Sequence, residues 1–270
     1  MINGNKKEII KKWYLALSFP TEYDKAFYCA LDSFCPEGDI TVEGYDIGCE
    51  DGVKNLLSAL YMCEEAARRH RALGIPEEIT LDTLRDIVIW TNTWSSVKGE
   101  LALFELDWLS LHLGAKIFRL GRLQFAYAAA KHDIPAHGVK AGDPVIEVHI
   151  PEGGRLSPEA CDESFARARE FFKKYFPHHD YKCFTCHSWL LDPTLEKYLP
   201  EESAILAFGK RFSPVELGEV SYALIKYIFT WDTTRENIAD KEARSSLAKA
   251  IKAATLAGEP FYEALGAIAR

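Results

Sequence analysis

The chain has 270 residues, of which 48% are hydrophobic and 27% charged. Those are globular proportions with material for about two domains, and they exclude fibrous, collagenous and disordered classes. The formal charge of -8 argues against a nucleic-acid binder, which needs clustered Lys and Arg to neutralise phosphates.

The opening "MINGNKKEIIKKWYLALSFP" sets Lys6, Lys7, Lys11 and Lys12 against Ile9, Ile10 and Trp13 at helical spacing. It lacks the form of a signal peptide. With no apolar run of bilayer-spanning length, no membrane is expected as a partner and the expected compartment is the cytoplasm. Seven cysteines, odd in number and irregularly spaced, fit reducing conditions better than a disulfide framework.

Up to about residue 115 the periodicity is helical. In "EDGVKNLLSALYMCEEAARRHRALGIP" Val53, Leu56, Leu57 and Leu60 mark one face, and Gly74 and Pro76 end the run. Thr80 is placed as N-cap of "LDTLRDIVIWTNTW", and "LALFELDWLSLHLG" reads as a helix closed by Gly114. Past Gly114 the period becomes two, in "KIFRLGRLQFAY" and "VIEVHI". Only one strand is read before "VIEVHI", and a further one is sought in "IPAHGVKAGDP".

"EGGRLSP" is a turn in which Ser157 is placed to cap, and Pro158 to begin, a helix carrying Phe165, Ala168, Phe172 and Phe176 on one face. "YKCFTCHSWLL" is strand-like and "TLEKYLP" a short helix. "AILAFGKRFS" and "VSYALIKYIFTW" read as a closing antiparallel pair, and a helix from about Lys241 to Leu256 ends the chain. The expected fold class is therefore α+β: a helical domain over residues 1–115, then a mixed α/β sheet domain over 116–270. A right-handed crossover should place "VIEVHI" beside "CFTCHSW" as parallel neighbours.

Cys183, Cys186 and His187 spell C-x-x-C-H, the haem-attachment pattern. Haem is not expected, because attachment happens outside the cytoplasm and the run is β-like, with side chains on alternate faces. Zinc is the better rival, since His178, His179, Cys183, Cys186 and His187 lie within ten residues. A flat strand, however, sends the two thiols to opposite faces, so two inert core cysteines and no metal are expected.

The turn carries more chemistry. Gly153 and Gly154 let backbone N–H groups approach an anion, the following helix presents its N-terminus, and Arg155 adds a cation. A phosphorylated ligand fits there; so does an ordinary βα turn whose glycines serve geometry alone.

Three stretches, "FELDWLSLHLGAKIFRLGRLQF", "VIEVHIPEGGRLSPEACDESFARAREFF" and "CHSWLLDP", resemble the GNAT-like acyltransferases, specifically bacterial proteins with a helical N-terminal domain and a GNAT-like C-terminal domain. The resemblance covers most of the chain. It implies an acyl-CoA donor, acetyl-CoA being the one expected, whose pantetheine lies between the splayed strands "VIEVHI" and "CFTCHSW". It also implies a pyrophosphate held by the turn from Glu152 to Ser157. The turn itself departs from the family's Q/R-x-x-G-x-G/A.

Acyl transfer to an amine needs a base, donors for the oxyanion and an acid for the leaving thiolate. Glu147 and His149 share one strand face, and Thr185 and His187 share a face of the neighbouring strand. His149, oriented by Glu147, is the expected base and His187 the second choice. Each imidazole also fits a structural role bonded to a carbonyl. Backbone N–H groups near His149 and Ile150 are the expected oxyanion donors. The resemblance places Tyr198 as the acid, although it equally suits helix packing.

The expectation is thus an N-acyltransferase acting on a small-molecule or peptide amine. The alternatives are a non-catalytic acyl-CoA-responsive or protein-binding module and a small zinc-binding protein.

Overall fold

The computed structural model describes residues 2–34, 40–41 and 50–270. The chain divides into two units, Met1–Arg119 and Leu120–Arg270.

In the first unit the helices are α1 (Ile2–Ala16), α2 (Asp24–Ser33), α3 (Gly52–Ala72), α4 (Glu77–Leu84), α5 (Asp86–Lys98) and α6 (Leu106–Leu113). Asp51 caps α3 by accepting from the N–H groups of Val53 and Lys54 at 3.1 and 2.9 Å. Leu56, Leu57 and Leu60 are buried as expected, together with Ile10, Trp13, Tyr14 and Phe27. A Cβ on Gly52 would lie 2.6 Å from Ala102 and Phe104. Only glycine admits that approach, and the Gly52 carbonyl there accepts from Leu103 at 2.9 Å.

The stretch expected as one helix with Thr80 as its cap is instead two. Pro76, its φ held at -58 by the ring, sets the start of α4. Thr80 lies inside α4, where its hydroxyl meets His70 Nδ1 at 2.9 Å. Asp86, buried, accepts from the indoles of Trp90 and Trp108 at 3.1 and 2.7 Å and lies 3.3 Å from His112 Nε2. Those two tryptophans therefore satisfy a buried carboxylate as well as filling space.

The sheet has strands β1 (Ile117–Leu120), β2 (Leu123–Ala129), β3 (Pro144–His149), β4 (Cys183–Ser188), β5 (Ser213–Val220) and β6 (Tyr262–Ala269). Their order is β1-β2-β3-β4-β6-β5. The division between the units falls in β1. β3 and β4 are the parallel pair, joined by α7 (Pro158–Tyr175), and the remaining registered neighbours from β2 to β5 are antiparallel.

One face of the sheet is closed by α7. Phe165 stands edge-on to Phe125 and Phe184 at 5.6 and 5.3 Å, and Phe172 is buried beside them. Ser164 clamps the helix to the β1–β2 turn. Its oxygen accepts from the Arg122 and Leu123 N–H groups at 2.8 and 3.3 Å and donates to the Ala160 carbonyl at 2.8 Å.

Four expectations for this unit are corrected. "AILAFGKRFS" is not a strand: Ser203 accepts from the Ile205 N–H and starts α8 (Ala204–Gly209). "VSYALIKYIFTW" is mostly α9 (Ala223–Ile228), and β5 precedes it. The helix near the end, α10 (Ser246–Leu256), is followed by β6, which enters between β4 and β5. The strand sought in "IPAHGVKAGDP" is a single Ile134–Val139 bridge, and the extra strand comes from "KIFRLGRLQFAY", folded in two at Gly121 with φ +86.

Candidate functional site

The register pairs Ile146 with Phe184 and Glu147 with Thr185; beyond that rung β3 continues to His149 and β4 to Ser188. At this point the polar groups gather on the sheet face opposite α7. His149 Nε2 lies 3.7 Å from Glu147 Oε2, an ion-pair distance longer than an ordinary hydrogen bond, and both side chains are about 30% exposed (29% and 31%). The Glu147 carboxyl is held below the usual carboxylate range, first by its contact with His149, then against the opposing effect of burial, with help from the charges of His149, Lys131 and His187.

His187 lies across from this pair. Its Nδ1 is 3.8 Å from Glu263 Oε2 on β6. Glu263 escaped the sequence-based site because its strand did.

The turn after β3 has left-handed glycines, Gly153 with φ +88 and Gly154 with φ +73. Ser157 Oγ accepts from the Ala160 N–H at 3.2 Å and caps α7, with Pro158 in the first turn. Glu152, Gly153, Gly154 and Arg155 are exposed, and Ile150 is half-buried.

Two further cations approach. Arg122 donates from Nη1 to the Pro151 carbonyl at 2.8 Å, and its Cδ and Nε lie 3.8 Å from where a Cβ on Gly154 would stand. Arg211 donates to the Pro158 carbonyl at 2.9 Å and to Asp162. Neither was singled out from sequence. Arg122 reaches the turn only through the β1–β2 hairpin, 29 residues away from Pro151; the short α8 places Arg211. An anion at this turn would face backbone N–H groups, a helix N-terminus and up to three guanidinium groups.

Tyr198 stands elsewhere. Its hydroxyl donates to Glu259 Oε2 at 2.6 Å, its ring packs edge-on to Phe261, and burial and the Glu259 carboxylate push its pKa up to about 12. Cys183 and Cys186 are buried free thiols, and burial pushes both thiol pKa values up, furthest for Cys186. Of the other cysteines, Cys35 and Cys49 lie outside the described residues. Among the described residues no group of three His, Cys, Asp or Glu side chains is arranged to hold a metal, and no helix is long and apolar enough to cross a membrane.

A helical unit followed by a mixed sheet with one parallel, helix-linked pair defines an α+β protein with a GNAT-like second unit. Sequence comparison agrees. Residues 117–268 match the GNAT-like C-terminal domain and residues 8–115 the N-acyltransferase N-terminal domain. The chain belongs to this family of GNAT-like acyltransferases.

Similar solved structures include an acyltransferase in complex with decanoyl-CoA and teicoplanin, at 30% identity and TM-score 0.71, the match covering 80% of this chain and 66% of that one. Another is a mutant acyltransferase in complex with octanoyl-CoA, at 29% identity and the same TM-score and coverage. A third is an acyltransferase in complex with decanoyl-CoA, at 32% identity and TM-score 0.70, covering 79% and 65%. The chain thus spans just under two thirds of the length of these structures. No curated protein matches it.

Proposed function

We propose that the chain is an acyl-CoA-dependent N-acyltransferase in which His149 is the general base. The observation that carries this reading is the Glu147–His149 pair at the point where β3 and β4 stop pairing, a few residues before the Gly153–Gly154 turn. The turn, with Arg122 and Arg155, would hold the donor's pyrophosphate, and the gap between the strands its pantetheine.

In the reaction the amine nitrogen attacks the thioester carbonyl carbon, the carbon–sulfur bond breaks and the CoA thiolate leaves. The amine's proton passes to the His149 nitrogen turned away from Glu147, whose carboxylate stabilises the imidazolium. The N–H of Ile150, at the end of β3, is the proposed donor to the oxyanion. Tyr198 has no part in the proposal, since Glu259 already engages its hydroxyl.

The relatives' complexes with octanoyl- and decanoyl-CoA favour a medium-chain donor over acetyl-CoA, and the complex with teicoplanin favours a small-molecule acceptor. The test is thiol release from acetyl-, octanoyl- and decanoyl-CoA with and without an amine panel. Amine-dependent release, faster for the longer donors, is expected. Tight acyl-CoA binding without release under any amine would leave the non-catalytic module as the correct description.

A further inference from the structure

β2 runs antiparallel to β3 with Gln124 opposite His149 and Ala126 opposite Glu147. Directly paired residues carry their side chains on one face, with Cβ atoms roughly 5 Å apart. The alternate residues Phe125 and Tyr127 turn to the other face, against Phe165 and Phe176 at 5.6 and 5.4 Å. The amide of Gln124 therefore shares a face with the His149 imidazole, and Ala126, with only a methyl group, leaves it room to lean toward Glu147.

This side of the imidazole is dry. Gln124 is 0% exposed, and its Oε1 and His149 Nε2 are both sealed from water. The open hollow of the same face, a cavity of about 430 Å³ lined by His187, Glu216, Glu219 and Glu263, lies beyond β4 instead. Burying an amide costs free energy that an alkyl side chain of the same size would not. At 0% exposure Gln124 does not touch a substrate, so whatever its carbonyl does for the reaction it does through the imidazole.

The chemistry of the base says what that is. A neutral imidazole has one N–H and one bare nitrogen. His149 Nε2 is the nitrogen on the Glu147 side, 3.7 Å from Oε2, so the bare nitrogen offered to an amine is Nδ1 and the hydrogen belongs on Nε2. Nε2 is then a donor before and after the proton is taken, and it becomes a stronger one as the ring gains charge. The Glu147 carboxylate, beyond hydrogen-bond range, attracts the charge without fixing the ring. The other charges at this row, Lys131 and His187, act on Glu147. An amide carbonyl is the complement that is missing: it accepts from an N–H, competes for no proton and keeps the same charge at every working pH.

We propose that Gln124 is the positioning residue for the base. No hydrogen bond joins Gln124 Oε1 to His149 Nε2 in this structure; the bond closes as the imidazole becomes charged, when Oε1 accepts from Nε2–H and holds Nδ1 toward the acceptor. Catalytic hydrogen bonds commonly tighten in this way only when the reacting state forms. The use of the contact in catalysis rests on the acyl-transfer reading above; the contact itself rests on register and burial.

The experiment follows Gln124→Met, which keeps the length and volume of the side chain and removes its acceptor, with Glu147→Gln beside it. Nitrogen-15 NMR of the imidazoles at about pH 5, where an ordinary imidazole is charged, reads the His149 Nε2–H of the full chain, assigned by its absence in His149→Ala. The signal should be protected from solvent exchange in the parent and in Glu147→Gln, and lost in Gln124→Met. Thiol release from decanoyl-CoA with octylamine should show kcat ~10-fold lower in Gln124→Met and KM for the donor within about twofold, because the bond strengthens only as charge develops.

A signal that survives Gln124→Met, or that disappears in Glu147→Gln, overturns the contact. If Gln124→Met does not fold, the comparison of parent with Glu147→Gln decides alone, persistence supporting the contact and loss overturning it. Thiol release unchanged in a folded Gln124→Met overturns the positioning role and leaves the acyltransferase standing. A signal that behaves as expected without thiol release from any variant or the parent keeps the contact and overturns the base role of His149.

Discussion

Replacing Arg122 by methionine tests the donor side at the residue that only the folded chain reveals. The Arg122 backbone is fixed by Ser164, and its guanidinium is held beside the turn by the 2.8 Å bond from Nη1 to the Pro151 carbonyl. The substitution keeps most of the stem and removes the charge. Losing the bond to Pro151 should cost about 1 kcal/mol of stability, a shift of a few degrees in melting temperature.

A hydrogen bond from a charged donor to phosphate is worth about 1.5–3 kcal/mol. The exposed turn puts the half-buried Arg122 at the low end, which predicts about a tenfold loss of CoA affinity at 25 °C. Arg155→Glu, which sets a carboxylate against the phosphates on the exposed side of the turn, should weaken CoA several-fold to ~100-fold. Calorimetric titration with CoA and with pantetheine separates charge from general damage, because pantetheine carries no pyrophosphate. Unchanged CoA affinity in both variants, or equal losses for CoA and pantetheine, would refute the assignment of this turn to the donor.

His149→Ala should lower turnover at saturating donor by ~10²-fold or more with CoA affinity nearly unchanged, and His187→Ala should do less; stopped-flow thiol detection would show whether the wrong imidazole has been chosen. His70, buried with its pKa pushed down to about 4, binds fewer protons folded than unfolded between about pH 6.5 and 4. Stability should therefore fall through that window as pH drops, by roughly 3 kcal/mol in total, and denaturant titrations of His70→Gln should show a shallower decline. Cys183→Ser with Cys186→Ser places hydroxyls in dry sites and should cost about 1–3 kcal/mol of stability; CoA affinity should stay intact and the parent protein should carry far less than one zinc per chain by elemental analysis, whereas stoichiometric zinc would overturn the reading of these thiols as inert.

How much of this was legible before folding depends on the range of the signals. The β3–turn–α7–β4 segment could be read directly, because its alternation, its Gly-Gly turn, the Ser157-Pro158 start and the phenylalanine stripe are all local. β6 could not. "YEALGAIA" is rich in Ala, Leu and Glu, which favour helix in isolation. It becomes a strand because β4 and β5 offer it two ladders, in registers from Cys183↔Ala269 to Ser188↔Ala264 and from Ser213↔Ala267 to Val220↔Tyr262. Such a gain is invisible in a window of eight residues. The α8 error has the same origin in reverse: "AILAFG" is apolar enough for a buried strand, and the Ser203 cap together with its brevity decides for a helical turn.

The consequences for the site follow from which of these elements carry it. The proposed base and its carboxylate sit two residues apart on one strand, so alternation alone brings Glu147 and His149 together. Glu216, Glu219 and Glu263 sit on β5 and β6, and they meet His187 only because the last strand enters the sheet beside β4 rather than at its edge. Had β5 taken that place, Glu263 would stand one strand further from His187 and the two would not pair. The division of labour between the sheet faces has a similar cause: α7 occupies one face with Phe165 and Phe172, so the polar side chains of β3, β4 and β6 are confined to the other. On the proposed reading, a donor held at the turn and an acceptor over the open face both follow from that single crossover, and adding His149→Ala to Arg122→Met should leave the loss of CoA affinity unchanged within about 0.5 kcal/mol.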